Sequence, residues 1–294
     1  KKIIALAVAG AFVAPVYAVE VSVSGEVETT YSSSDGTNTM SQGTQDITVS
    51  FVEELDNGMT VSGRVTNDSA DGSVAQDSLI TVSGGFGAVQ VGKNADLGGD
   101  VFDAKSEVAS AGGYEGEAGD GIATQAGMTY QPNLGIAGLS AAIGYGAGAT
   151  ANTEVTGYGV QYSVGGVTLA YGVLDTDLGS DENIKTLSAS YSNGPIYIGV
   201  DSIANQGGLD GYDTVNIGLK YTMGAITLEA ERFVEEGIST NASYKETTDT
   251  MVGVNYAVGG GLEVYAAMGN VDTASSATAS AEVETTYVGI EYKF

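Results

Sequence analysis

Carboxylates are the chemically capable side chains of this 294-residue chain, with 37 Asp plus Glu against 10 Lys plus Arg, and neither Cys nor His. That inventory excludes a Ser-His-Asp triad, a cysteine nucleophile, an imidazole or thiolate zinc site and a disulfide framework. A formal charge of −27 repels polyanions, so nucleic acid is excluded as a partner and cations become the natural mobile ones. Three uses remain for the acids: paired acid–base work, calcium binding, or the electrostatics of a surface.

The densest group lies between Asn94 and Gly121, where Asp96, Asp100, Asp103, Glu107, Glu115, Glu117 and Asp120 face a single base, Lys105. Asp96, Asp100, Asp103 and Glu107 have helix-like spacing, which leaves room for weak Ca²⁺ binding by acidic loops. No Asp-x-Asp-x-Asp-Gly loop occurs, so no metal ligands are assigned and no cofactor is expected. Glu229 and Glu231 are a carboxylate pair of the kind that hydrolyses glycosides, but two positions apart on a strand they share a face without forming a cleft. No catalytic residue is assigned, and the chain does not read as an enzyme.

The elements that must position these acids are strands. Val19, Val21 and Val23 alternate with Glu20, Ser22 and Ser24, and the same period of two recurs in Ile196-Ile198-Val200, Val215-Ile217-Leu219-Tyr221 and Leu262-Val264-Ala266-Met268. Between the apolar positions sit Gly, Ser, Thr, Asn and Gln. Counting these segments predicts an all-β chain of about 16 strands, an even number suited to a closed antiparallel barrel. Ser32 to Thr44, Asn67 to Ala75 and Glu235 to Thr247 read as long polar connections at one end.

Lys1 and Lys2, an apolar run from Ile3 to Val13 and the small residues up to Ala18 read as a secretory signal peptide. Residues 19–294 then form one domain. After Ala18 no apolar run approaches the length of a spanning helix, so entry into a bilayer would require a barrel. Alternation alone fits a soluble sandwich as well as a membrane barrel. The tyrosines favour the barrel. Tyr162, Tyr191, Tyr221 and Tyr256 each precede a short Gly-containing turn, with Tyr130 as a variant and Tyr292 near the end, as an interfacial aromatic girdle requires.

In that barrel, strand phase turns Glu26, Glu28, Glu229, Glu231, Glu263 and Glu291 inward with Arg64, Lys220 and Lys293, and turns Arg232 outward. Val288, Ile290, Tyr292 and Phe294 end the chain at alternate positions. This terminus resembles the signal that the barrel assembly machinery reads on outer-membrane barrels, with Phe294 as its last residue.

A family resemblance runs through most of the chain. Phe51-Val-Glu-Glu-Leu-Asp-Asn-Gly-Met-Thr-Val61 is similar to the second and third strands of general Gram-negative porins. Asp77-Ser-Leu-Ile-Thr-Val-Ser-Gly-Gly-Phe-Gly-Ala-Val-Gln-Val-Gly-Lys93 resembles their fourth and fifth strands, joined at Gly-Gly-Phe-Gly. Met128-Thr-Tyr-Gln-Pro-Asn133 and Tyr292-Lys-Phe294 extend the match. The resemblance implies a 16-stranded homotrimeric barrel in the outer membrane of a Gram-negative bacterium, with an inward-folded third external loop. The interval from Asn94 to about Gly121 would be that loop, and its acids would line the constriction. The family's arginine ladder is not carried over, because Arg64 and Arg232 are the only arginines.

The expected function is a cation-preferring, water-filled channel for passive diffusion of small hydrophilic solutes, with lipid around its apolar face. The alternatives are a substrate-selective porin, a plugged structural or adhesive barrel that binds partners through acidic external loops, and a secreted soluble β protein.

Overall fold

The computed structural model describes residues 19–68, 75–93, 124–148, 154–176, 183–205, 213–236, 244–275 and 281–294. Residues 1–18, read above as a secretory leader, and the interval 94–123 lie outside the described residues. So do Asp96, Asp100, Asp103, Glu107, Glu115, Glu117 and Asp120.

The described residues form sixteen strands: β1 Glu20–Ser34, β2 Thr37–Glu54, β3 Thr60–Asp68, β4 Ala75–Gly84, β5 Gly87–Lys93, β6 Thr124–Pro132, β7 Leu139–Gly148 and β8 Glu154–Val164 in the first half. The second half adds β9 Val167–Thr176, β10 Ile184–Asn193, β11 Ile196–Ala204, β12 Asp213–Met223, β13 Ile226–Glu236, β14 Tyr244–Gly259, β15 Leu262–Ser275 and β16 Ala281–Lys293. Each pairs antiparallel with its sequence neighbours, and β1 pairs with β16, closing the barrel. Closure satisfies every edge, the only way strands can cross hydrocarbon.

Burial is inverted relative to a soluble domain. Leu187, Ile143, Ile217 and Met268 are 60%, 58%, 51% and 62% exposed on the outer face, whereas Thr129, Thr186, Ser188, Asp201 and Asn216 are buried within. The outer face is therefore solvated by lipid, in which apolar side chains are at no disadvantage.

Tight turns join the strands at one end. Gly166 sits there at φ +83°, and a Cβ on it would strike the carbonyl oxygen of Ser192 in the next hairpin. Its own carbonyl accepts a hydrogen bond from the Ser192 N–H at 2.8 Å, so each hairpin docks on its neighbour. Gly138 and Gly261 make the same contact with Ser163 and Lys293. Gly166→Val should cost about 1–3 kcal/mol through positive φ and the carbonyl clash, read as a lower urea midpoint in folded barrels.

One connection departs from the sequence reading. Residues 32–44 were expected to form a long polar connection, but β1 and β2 stay paired to Ser34 and Thr37 and are joined only by Asp35 and Gly36. Both turn residues have positive φ, 46° and 79°, the geometry of a two-residue hairpin. Cross-strand bonding stabilises the extension, with Asn38 Oδ1 accepting from Ser33 Oγ at 2.8 Å.

Candidate functional site: the lumenal wall

Strand phase and register place Glu26, Glu28, Arg64, Lys220, Glu229, Glu231, Glu263 and Glu291 on the inner face, together with Lys293, and of these Glu28, Glu229 and Glu231 are buried. The register gathers most of these residues into two groups, with Arg64 apart from both, opposite Ser50 of β2.

The first group spans the closing seam. Glu28 lies opposite Glu291, Glu26 opposite Lys293, and Glu291 opposite Glu263. Lys293 pairs with Glu291 and lies 3.8 Å from Glu26. Glu28, 8% exposed, is held from three sides. Tyr265 Oη donates to Glu28 Oε1, Thr30 Oγ1 donates to the same oxygen at 3.4 Å, and the Thr44 N–H donates to Oε2 at 3.3 Å. A bulge makes the last contact available: the β1–β2 register slips between Val27 and Thr29, leaving Gly43 and Thr44 outside the ladder. A Cβ on Gly43 would collide with the Glu28 carboxylate.

Tyr265 reaches Glu28 by lying across β16. Its inward ring covers Gly289, where a Cβ would overlap the ring, and its hydroxyl is 2.5 Å from Thr30 Oγ1. Strands β15 and β1 are thus tied together over the strand between them. The chain's last residue reinforces the seam. Phe294 exchanges backbone hydrogen bonds with Gly25 at 3.0 and 3.1 Å and stacks on Tyr292, centroids 6.2 Å apart.

The second group lies on β11–β13. Asp201 is opposite Asn216, Glu229 is opposite Lys220, and Glu231 is opposite Gly218. Asp201, Asn216, Glu229 and Glu231 are all under 8% exposed. Arg232 points outward beside Ile217.

The six tyrosines also have definite places. Tyr162, Tyr191, Tyr221, Tyr256 and Tyr292 are outward and 37–47% exposed at the tight-turn ends of their strands. Tyr130 Oη donates to the Phe86 carbonyl at 2.9 Å across the β4–β5 turn.

Several inward residues were not singled out from sequence. Asp201 was readable, since it follows the outward Ile196-Ile198-Val200 series by one. Tyr265 was readable as inward, but its contact with a residue 237 positions away was not. An apolar patch of Leu174, Ile184 and Ile203 on the inner face breaks the expectation of a uniformly small and polar wall. Among the described residues, no group of three or more acids has an arrangement that could hold a metal ion.

The comparisons agree with this architecture. A family model described as Gram-negative porin matches residues 4–294. No curated protein sequence matches the chain. Among solved structures, a loop-deletion mutant of the Vibrio cholerae outer membrane protein OmpT superposes with TM-score 0.70 at 18% identity. An anion-selective porin from Comamonas acidovorans gives 0.71 at 16%, and a mutant of Rh. blastica porin gives 0.70 at 20%. Each comparison covers 94% of this chain and all of the other. A closed sixteen-strand barrel, apolar outside and carboxylate-bearing within, and a family match over nearly its whole length place this chain in the outer membrane as a channel for small solutes: it belongs to the Gram-negative porin family.

Proposed function

We propose that the channel prefers cations and passes small hydrophilic solutes by passive diffusion, without cofactor or covalent chemistry. The observation that carries this reading is the sign of the inner face. Glu26, Glu28, Glu229, Glu231, Glu263 and Glu291 line it, joined by Asp46 and Asp201, against Arg64, Lys220 and Lys293. Lys293 is engaged by Glu291 and Glu26, so its charge is offset locally. Rings of carboxylates lower the energy of a cation in a narrow aqueous pore and raise that of an anion. The fold does not decide the sign, since a similar barrel from Comamonas acidovorans is anion-selective. Wall and loop residues must.

The same proposal gives Asp96, Asp100, Asp103, Glu107, Glu115, Glu117 and Asp120 to a constriction loop, the tyrosines to an interfacial girdle, Phe294 to recognition during assembly, and residues 1–18 to an export leader. A homotrimer is the family's usual assembly. Charge reversal tests the loop assignment. Asp100→Lys with Asp103→Lys should lower the potassium-to-chloride permeability ratio several-fold, measured from reversal potentials across a planar bilayer. An unchanged ratio would remove the constriction from residues 94–121.

A further inference from the structure

We infer that the inner wall of β11–β13 holds a binding site for an organic cation with N–H donors, a guanidinium or primary ammonium group, seated on Gly199 and Gly218 between Asp201 and Glu231. The inference rests on the reading of the chain as an open, cation-preferring channel, and names a solute class for it.

The register builds the site. Across one row of inward positions, Ser190 of β10 faces Gly199 of β11, Gly199 faces Gly218 of β12, and Gly218 faces Glu231 of β13. Two adjacent strands therefore present bare backbone, a floor about 10 Å wide at ordinary strand spacing. Asp201 and Asn216 occupy the next inward row toward the loop end, opposite one another. Lys220 and Glu229 occupy the row on the other side, again opposite one another. The floor is thus bounded by a carboxylate at one flank, a carboxylate and an amide above, and an acid–base pair below.

Glu231 supplies the observation that points to a ligand. It is 6% exposed, and neither carboxylate oxygen has a partner at hydrogen-bonding geometry. The Asn216 side chain approaches it as a donor from one neighbouring row without reaching full hydrogen-bond geometry, and Lys220 attracts it from the other. A buried carboxylate short of donors is costly, and a group bringing both N–H bonds and positive charge relieves that cost most fully. Calcium fits poorly, because no described group of acids has a metal-holding arrangement and calcium needs six or more oxygens. A planar guanidinium presents several donors in a fixed fork, which suits carboxylates on two sides of a flat floor.

The test is block of potassium current through the detergent-purified protein in planar bilayers. Guanidinium chloride at millimolar concentrations should block saturably, and methylammonium should do so more weakly. Tetramethylammonium, with the same charge and no N–H, should not saturate. Glu231→Gln keeps the shape and removes the charge, and should raise the half-blocking concentration of guanidinium about tenfold. Gly218→Val fills the floor with both acids intact, and should abolish saturation. Equal block by guanidinium and tetramethylammonium, or an unchanged half-blocking concentration in Glu231→Gln, overturns the site. A channel that conducts with cation preference but shows no saturable block leaves the proposed function standing and removes this inference alone. A protein that inserts without conducting removes both.

Discussion

Gly289→Val is expected to prevent the barrel from closing in its native form. Tyr265 lies on the bare backbone of Gly289, and any side chain there displaces the ring. Displacement breaks the bond from Tyr265 to Glu28 and the 2.5 Å contact with Thr30, leaving a carboxylate that is 8% exposed short of its strongest donor. The consequence falls on the one junction of the sheet that local hairpins cannot make, between the first strand and the last. Tyr265→Ala removes the ring itself and should lower stability by about 3–5 kcal/mol, in line with truncation of other large buried aromatics. Tyr265→Phe removes only the hydroxyl bonded to a charged group and should cost about 1.5–3 kcal/mol. Urea unfolding in lipid vesicles, with heat-modifiable migration on gels as a second readout, measures all three. Wild-type midpoints in Gly289→Val would show that the seam does not depend on this contact.

Ile143→Lys is the second large effect, and it separates a membrane barrel from a soluble one. Ile143 is 58% exposed in the middle of β7, between the outward Tyr130 and Tyr158. On a water-exposed surface the substitution would change stability by no more than about 0.5 kcal/mol. On the lipid face near the bilayer midplane it should cost about 2–4 kcal/mol. Lysine placed inward at Ser62, opposite Val52 and Thr81, meets the lumen and should be tolerated. Equal and small effects at both positions would contradict the assignment of outside and inside.

Much of this architecture is legible in the sequence because a strand has only two faces. A run such as Val215-Ile217-Leu219-Tyr221 fixes its own phase, and Lys220 and Asn216 fall inward without further information. The tyrosines before Gly-containing turns mark strand ends, and the turns show positive φ at Gly165, Gly166, Gly194 and Gly224. Where local signals mislead, the cause is equally local. Residues 32–44 are rich in Ser, Thr, Asn and Gly, a loop composition, yet Thr also suits a strand and the Asp35-Gly36 pair is a hairpin turn inside the stretch. The Gly43–Thr44 bulge switches the outward phase of β2 from Ile47 and Val49 to Met40, and with Met40 the one large apolar residue between 32 and 44 the sequence carries no alternation from which to read the switch. Contacts such as Tyr265 to Glu28, and the bare row of Gly199 and Gly218, depend on register between strands and become visible only once the barrel is closed.

The central claim is that the acids of this barrel select the ion. A planar-bilayer recording of the purified wild-type protein across a KCl gradient tests it most directly, with unitary conductance and reversal potential read together. The account predicts large stable steps and a reversal potential displaced clearly toward the potassium equilibrium value. Reversal at zero, or displaced toward the chloride value, would contradict it.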